Sequence, residues 1–415
     1  MAVFFRGELE AATGGFAKEN CAGSGGFGSV YKADQLDGLG NGAPMAIKKL
    51  DSGSMQGHGE FLQELQVLGG CRHEHLLPVI GFASDSASAS SGQKDQSDSS
   101  VCLVMPLMQG GNLEDRLFCN EGSDSRLSLL CHRKQLEPLK WQDRLRIITG
   151  LIRALLYLHT PDTSRCKPVI LHRDIKPANI LLDKRLNARL SDVGLAQLLS
   201  SRRKHVSNSF VCGTHGYLDP HYLQTGHFDV QCDAYAVGVT MLMTLTSTPV
   251  YYDGETIVDR CMDAEVPDIV DAKACWPMEV AEKFHEISLG LLKFPRRERI
   301  SLSDALGSAS PSFRRAAAQL SAGCSKASST SSLSPSSSPK AGRTIPTALK
   351  SASCVCAGLV RSLFRRLCRA CLTDARCLRC ASSAVTVCCA RAASSTSSPG
   401  LGRCAPAARR WWTKT

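Results

Sequence analysis

Short apolar runs bounded by turn residues fill the first part of the chain and predict β-strands. They are SVYKA (29–33), MAIKKL (45–50), LLPVIGF (76–82) and VCLVMPL (101–107). One amphipathic helix is predicted among them, because the apolar residues of GEFLQELQVLG (59–69) recur at helical spacing. The serine-rich stretch 84–100 is predicted to be a mobile loop.

From Trp141 onward the hydrophobic period lengthens to that of a helix. Apolar side chains then recur on one face, at Leu145, Ile148, Ile152, Leu155 and Leu156. The run YAVGVTMLMTLTSTPVYY (235–252) contains Thr and Ser and falls short of about 18 uninterrupted apolar residues, so it predicts a buried helix rather than a membrane span. Strands followed by helices indicate an α+β body with a small β-rich lobe and a larger helical lobe.

Charge divides the chain near residue 306. Residues 307–415 hold 17 Lys or Arg and a single acid, Asp374, a net of +16, so the preceding residues carry −5 of the total +11. The basic part is of low complexity, as in SKASSTSSLSPSSSPKAG, and is predicted to be disordered. We therefore predict a folded body over about 10–306, with lobes over about 10–105 and 106–306, and a tail over 307–415.

The first residues and the cysteines favour a cytoplasmic protein. The 20 cysteines are divided equally about residue 306, and the ten before it follow no regular spacing, which is typical of reduced thiols. The first residues, MAVFFRGELEAATGGF, lack a basic region followed by a long apolar stretch, so no secretory signal is predicted. Ala2 occupies the position at which N-myristoylation requires glycine.

A glycine-rich segment, GSGGFGSV, follows the pattern G-x-G-x-x-G-x-V through Gly23, Gly25, Gly28 and Val30. Such glycines let backbone amides approach phosphate oxygens, because no Cβ stands between them. The pattern alone is weak evidence, since most glycine-rich runs are flexible loops. A dinucleotide site requires a helix after the glycines, whereas the strand SVYKA follows here, as in a protein kinase.

Lys48 in MAIKK lies 20 residues beyond Gly28 and fits the lysine that binds the α- and β-phosphates of a nucleotide. Glu64, within the predicted helix, is expected to pair with Lys48 and orient it. Glu60 lies one turn away and is the competing candidate. Glu64 is favoured because its apolar neighbours in FLQELQVL would turn it inward.

The segment ILHRDIKPANILL (170–182) matches H-R-D-x-x-x-x-N, the catalytic loop of protein kinases. In this pattern Asp174 accepts the proton of the substrate hydroxyl, and Asn179 binds a magnesium ion together with Asp192 of SDVGLA. Lys176 is placed to neutralise charge on the transferred phosphoryl group. An ordinary loop with surface charges is disfavoured, because five positions of the segment match.

These motifs together resemble a eukaryotic protein kinase over about residues 10–306. The segments ELEAATGGF, GSGGFGSVYKA, HRDIKPANILLD and GTHGYLDPHY are similar to plant receptor-like kinases and the related Pelle and interleukin-1-receptor-associated kinases. The resemblance implies a bilobal kinase fold and transfer of the γ-phosphoryl group of ATP, with Mg²⁺, to Ser or Thr of protein substrates in signalling. Lys176 in HRDIKP resembles the serine/threonine class, and Thr214 fits the threonine that such kinases use beside the catalytic aspartate.

The same resemblance implies a role for further positions. Met105 corresponds to the gatekeeper and PLM (106–108) to the hinge beside adenine, while Asp233 matches an aspartate that anchors the catalytic loop. The implied nucleotide contacts are Gly23, Ser24, Gly25, Gly26, Phe27, Gly28, Val30, Ala46, Lys48, Met105, Leu107, Asn179, Leu181 and Asp192. The implied metal ligands are Asn179 and Asp192, and the implied catalytic residues are Lys48, Glu64, Asp174, Lys176 and Thr214.

Two positions depart from the family pattern. Val193 stands where the family has the Phe of D-F-G, whose packing distinguishes the active from the inactive state. Because Val is smaller than Phe, we expect this packing to be looser. His221 stands where the family has the Glu of A-P-E, which pairs with a buried arginine that corresponds to Arg299. Because His cannot make the same ion pair, we expect a less stable helical lobe or a more mobile activation segment.

The segment between Asp192 and Pro220 contains several Ser and Thr residues close to Arg and Lys, so its regulation by phosphorylation is a hypothesis. In the tail, VRSLFRRLCRACL (360–372) forms a basic amphipathic pattern that would contact an anionic membrane, with or without S-acylation. The tail pairs Cys368-x₂-Cys371 and Cys377-x₂-Cys380 are separated by five residues, which is shorter than the spacing of a usual zinc site. No specific nucleic-acid motif is present, and a disordered tail without specific chemistry is the main prediction.

Two other functions remain open from the sequence. A pseudokinase scaffold that binds nucleotide or partners with little turnover is supported only by Val193 and His221. A small-molecule kinase is disfavoured, because GTHGYLDP resembles a segment that positions a peptide substrate.

Overall fold

The computed structural model describes residues 1–25, 28–34, 36, 43–50, 55–84, 101–119, 121–131, 137–199, 205–207 and 211–307. The described residues fall within one compact unit, and the fold is the predicted combination of a β-rich lobe and a helical lobe. The basic segment 360–372 and the rest of the predicted tail beyond residue 307 lie outside the described residues.

The small lobe is a six-stranded sheet in the order β1-β5-β6-β4-β3-β2, in which only β1 and β5 run parallel. Its strands are β1 (Ala2–Val3), β2 (Cys21–Gly25), β3 (Gly28–Ala33), β4 (Met45–Leu50), β5 (Gly81–Ser84) and β6 (Val101–Pro106). Two helices accompany the sheet, α1 (Arg6–Ala12) and α2 (Met55–Gly70). The short strand β1 and the helix α1 were not predicted.

One predicted strand is largely wrong. Of LLPVIGF (76–82), only the last two residues enter strand β5. Leu76, Leu77 and Val79 are buried in the main core, whereas Ile80 packs in the apolar cluster of the small lobe and its amide donates to the Val104 carbonyl at 2.9 Å. Leu76 forms an isolated bridge with Leu190, and the Leu77 amide donates to the Leu190 carbonyl at 2.9 Å. The apolar run is therefore explained mainly by burial in these apolar clusters rather than by sheet pairing.

The large lobe is built on two buried helices, α5 (Trp141–His159) and α7 (Val230–Thr246). Every residue of α7 from Cys232 to Thr246 is buried, which confirms the predicted buried helix. The other helices are α3 (Leu113–Phe118), α4 (Glu121–Cys131), α6 (Pro220–Thr225), α8 (Ile257–Met262), α9 (Val266–Ile269), α10 (Met278–Leu292) and α11 (Leu302–Gly307). None of the helices in the described part of the chain is long and apolar enough to cross a membrane.

Short antiparallel strands lie in the connections between the helices of the large lobe. A three-stranded sheet in the order β10-β9-β7 and the pairs β8–β11, β12–β13 and β14–β15 are antiparallel. Their bounds are β7 (Gly111–Asn112), β8 (Val169–Leu171), β9 (Ile180–Leu182), β10 (Ala188–Leu190), β11 (Gln197–Leu199), β12 (Val206–Ser207), β13 (His227–Phe228), β14 (Tyr251–Tyr252) and β15 (Glu255–Thr256).

Arg299 has an acidic partner although His221 cannot supply one, and a less stable helical lobe or a more mobile activation segment stays a prediction. Asp219, two residues earlier, is completely buried and accepts two bonds from Arg299, at 2.7 Å from Nη1 and 3.3 Å from Nη2. Asp219 also caps helix α6 by accepting from the amide of His221 at 3.0 Å. An acid in place of the family's Ala in A-P-E thus supplies the charge that His221 removes.

We expect Asp219→Ala to lower the free energy of unfolding by about 3–5 kcal/mol, because it leaves the buried guanidinium of Arg299 without a carboxylate. His221→Ala is the matched control and should change the free energy by about 0.5 kcal/mol or less. Urea denaturation of the purified chain measures both values. Equal effects of the two substitutions would contradict this assignment.

Candidate active site

A buried carboxylate positions the loop that follows strand β8. Asp233 of α7 is 1% exposed and accepts hydrogen bonds from the amides of His172 and Arg173, each at 2.9 Å. The ring of His159 contacts the same carboxylate at 2.8 Å. Burial alone would raise the pKa of Asp233, but His159, His172 and the Arg173 amide outweigh it and lower the pKa. Arg173 adopts φ of +74°, a strained conformation that these bonds hold in place.

Three predicted catalytic and metal-binding residues meet around the carboxylate of Asp174. Its Oδ1 accepts from Thr214 Oγ1 at 2.6 Å, and its Oδ2 lies 2.8 Å from Lys176 Nζ and 3.0 Å from Asn179 Nδ2. Lys176 also donates to Thr214 at 2.7 Å. Asp174 is buried, so a hydroxyl that reaches its oxygens would meet a fixed and poorly hydrated base.

Gly213 allows Thr214 to come this close. Its φ is +118°, and a Cβ added there would lie 2.8 Å from the carbonyl oxygen of Arg173. Glycine therefore suits this position both for its backbone conformation and for the close approach of two chain segments.

A second cluster joins the two lobes. Lys48 of β4 lies 2.6 Å from Glu64 Oε1 on α2 and 3.1 Å from Asp192 Oδ1 of the large lobe. Of the two glutamates considered from the sequence, Glu64 is thus in contact with Lys48, whereas the side chain of Glu60 lies outside the described residues. The three residues place one cation between two carboxylates from different elements.

Burial and charge act in opposite directions on this cluster. Burial lowers the pKa of Lys48, but the carboxylates of Glu64 and Asp192 outweigh it and raise the pKa, so the ammonium stays charged. Burial raises the pKa of Glu64 to about 7 despite the opposing effect of Lys48. Its second oxygen, Oε2, has no hydrogen-bond partner among the described residues, which is consistent with this direction.

The two predicted metal ligands are tied to each other through the backbone. The carbonyl of Asn179 accepts from both the amide and the hydroxyl of Ser191 at 2.9 Å, and Ser191 directly precedes Asp192. Asp192 has a positive φ of 61°. The donor set fits a hard divalent cation, because it offers a carboxylate and an amide oxygen. Val193 is completely buried in the main core, although looser packing there stays a prediction.

The predicted nucleotide contacts line the sheet and the hinge. In the β2–β3 hairpin, Gly23 pairs with Val30, and a Cβ added to Gly28 would lie 2.1 Å from the Lys49 carbonyl. Gly26 and Phe27 lie outside the described residues, and for Gly25 only the strand backbone is described. Ser24, at the hairpin, is exposed.

The adenine side of the site is apolar. Ala46 is opposite Met105 in the β4–β6 register, and Ala46, Leu107 and Val30 belong to one apolar cluster. Leu181 of β9 packs against the main core from the other lobe. The structure therefore brings Val30, Ala46 and Leu107 into one cluster and leaves Leu181 in the main core, and the roles of these residues as ligands stay predictions.

Sequence reasoning missed two residues near this site, Asp219 and Leu130. For Asp219 a signal was present, because this acid lies only two residues before His221 in LDPH. For Leu130, the apolar spacing in LSLLC was visible, but its place beside the hinge required the tertiary structure.

Comparison with known proteins identifies the fold. The family model described as protein kinase domain matches residues 16–309. The chain belongs to the protein kinase family. Such kinases use ATP and divalent metal, in agreement with the donor groups found here.

Three curated relatives come from a plant, and two of them are named as kinases. A probable receptor-like serine/threonine-protein kinase of Arabidopsis thaliana is 37% identical over 246 residues, which cover 59% of this chain and 49% of the relative. The protein BRASSINOSTEROID INSENSITIVE 1 of the same plant is 36% identical over 58% of this chain and 17% of its own length. The probable serine/threonine-protein kinase PBL28, also from Arabidopsis thaliana, is 32% identical over 75% of this chain and 83% of its own length. The kinase thus spans less than half the length of the first two relatives and most of the third.

The Glu64 carboxylate predicts a pH dependence of nucleotide binding. Below its pKa of about 7, Glu64 is protonated and holds the Lys48 ammonium less firmly, so the affinity for Mg-ATP should fall as the pH drops through neutrality. Titration calorimetry on either side of neutrality measures this affinity. In Glu64→Gln the affinity should be weaker above neutral pH and less dependent on pH. Ionisation of the nucleotide affects both proteins equally, so parallel profiles would argue against Glu64 as the titrating group.

Proposed function

We propose that the chain is an active protein serine/threonine kinase that transfers the γ-phosphoryl group of Mg-ATP to Ser or Thr hydroxyls of protein substrates in signalling. The observation that carries this proposal is the convergence of Thr214, Lys176 and Asn179 on Asp174, since each of the four matches a kinase motif position. The names of the relatives support the same reaction.

Asp174 acts on the acceptor. Its carboxylate orients the Ser or Thr hydroxyl and takes the hydroxyl proton as the oxygen attacks phosphorus. Thr214, at 2.6 Å, and Lys176, at 2.8 Å, hold this carboxylate in one orientation. Lys176 also supplies positive charge beside the site of transfer, where negative charge accumulates on the phosphoryl oxygens.

Lys48 and Glu64 act on the nucleotide. The 2.6 Å contact to Glu64 fixes the Lys48 ammonium at the boundary of the lobes, from where it binds the α- and β-phosphates. Asn179 and Asp192 would hold Mg²⁺, which supplies positive charge to the phosphates. The apolar residues Val30, Ala46 and Leu181 enclose the base between the lobes.

The two departures from the family pattern leave the proposed machinery in place. Val193 is buried, and the ion pair of Arg299 is retained through Asp219. The pseudokinase alternative therefore gains no support from the described residues. A cytoplasmic location and contact of segment 360–372 with an anionic membrane stay predictions, as does phosphorylation of the activation segment.

We expect the purified chain to incorporate phosphate into Ser and Thr of a generic basic protein when it is supplied with Mg-ATP. Asp174→Asn should lower the rate by about 10²–10⁴-fold, because it removes the base that takes the proton. Asp304→Asn, which changes an exposed carboxylate at the start of α11, should leave the rate unchanged.

The readout is radioactive phosphate transfer with phosphoamino-acid analysis, beside a thermal shift with Mg-ATP. Loss of activity in Asp174→Asn with an unchanged thermal shift would support the proposal. If Mg-ATP raises the melting temperature of the parent chain but no phosphate is transferred, the proposed catalysis is overturned and the chain is a nucleotide-binding scaffold.

A further inference from the structure

Helix α4 follows the hinge and precedes the long helix α5 in the chain, and the proposed mechanism gives it no role. Its apolar residues Leu127, Leu130 and Cys131 have the spacing of one helical face. Leu127 and Leu130 are almost fully buried, whereas Leu129, on another face, is only half-buried.

A buried ionic contact anchors this helix. Asp115 of α3 is 2% exposed and accepts two hydrogen bonds from Arg126 of α4, one of them at 3.0 Å from Nε to Oδ2. The hydroxyl of Ser123 also donates to Asp115 Oδ1 at 3.0 Å. Bidentate pairing of Arg with carboxylate fixes orientation as well as distance, so α4 is held in one place against α3.

The anchored helix meets the end of the hinge. Gly111 adopts φ of +75°, and a Cβ added there would lie 2.4 Å from Cδ2 of Leu127. The thiol of Cys131 donates to the carbonyl of Gln109. Both contacts fall immediately after the predicted hinge 106–108, so the apolar face of α4 points along the hinge.

Leu130 reaches the apolar walls of the nucleotide site. It is 8% exposed and shares one cluster with Ala46 of β4 and Leu107 of the hinge. Ala22, Val30 and Cys131 pack at the edge of this cluster, which is separate from the main core. Apart from Cys131 of α4, its other members come from strands β2, β3 and β4 and from the predicted hinge.

We propose that α4 completes the adenine pocket, with Leu130 as a further base-contacting residue and Cys131 at the mouth of the pocket. The inference rests on the proposed function, because it places the base of ATP against the apolar cluster of Ala46 and Leu107. Leu130 would exclude water from the base, so the site would bind a purine nucleotide more tightly than a phosphate group alone.

The test uses the full chain with Leu130→Ala and, as matched control, Leu129→Ala on another face of the same helix. Leu130→Ala should weaken Mg-ATP binding by about tenfold, because it removes apolar contact with the base. The KM for ATP should rise while kcat changes little. Leu129→Ala should change neither quantity.

A second readout follows Cys131. Saturating Mg-ATP should slow its alkylation by N-ethylmaleimide, as read by peptide mass spectrometry. The exposed Cys119 in the same chain is the internal control and should react at the same rate with and without nucleotide.

Three results would overturn the inference. Equal affinities in Leu130→Ala and Leu129→Ala, without protection of Cys131, would make α4 a purely structural helix. Tighter Mg-ATP binding in Leu130→Ala would show that the leucine excludes the base. A parent chain that binds Mg-ATP without transferring phosphate would overturn the proposed catalysis alone, whereas one that binds no Mg-ATP would overturn both.

Discussion

The geometry of the catalytic loop depends on one buried carboxylate. Asp233 sits within α7, the most completely buried helix of the large lobe, and accepts hydrogen bonds from two successive backbone amides. A charge at this depth is stable only when its hydrogen bonds are satisfied. The loop must therefore adopt the conformation that presents both amides, including the positive φ of Arg173. Asp174 directly follows these two residues, so the buried core fixes its position.

The two lobes meet through a different kind of contact. Lys48 lies between a carboxylate of the small lobe and one of the large lobe, so its ammonium group contacts both lobes at once. Backbone pairing joins Leu76 and Leu77 to Leu190, and all three side chains are buried in the main core. Strong but directional charge pairing and weaker non-directional burial thus serve different purposes, because the first sets orientation and the second supplies cohesion.

Departures from a family pattern are informative only in their spatial context. His221 suggested a lost ion pair when it was considered by itself. In the structure the arginine has an acidic partner, since Asp219 reaches Arg299 from two residues earlier and caps a helix at the same time. The electrostatic requirement of a buried guanidinium is for a nearby carboxylate, and the backbone position that supplies it is secondary.

The sequence by itself determined the kinase family, the succession of a β-rich and a helical lobe, and the chemical type of each proposed catalytic residue. These follow from local spacing, because hydrophobic period fixes helix or strand and short motifs fix which side chains share a loop. The tertiary structure decided which groups meet across long separations: Asp174 with Thr214, Arg299 with Asp219, and Leu130 with Ala46. It also decided that Leu76, Leu77 and Val79 are buried in the main core instead of joining the sheet. Such contacts depend on how whole elements pack, and no local pattern of residues encodes that packing.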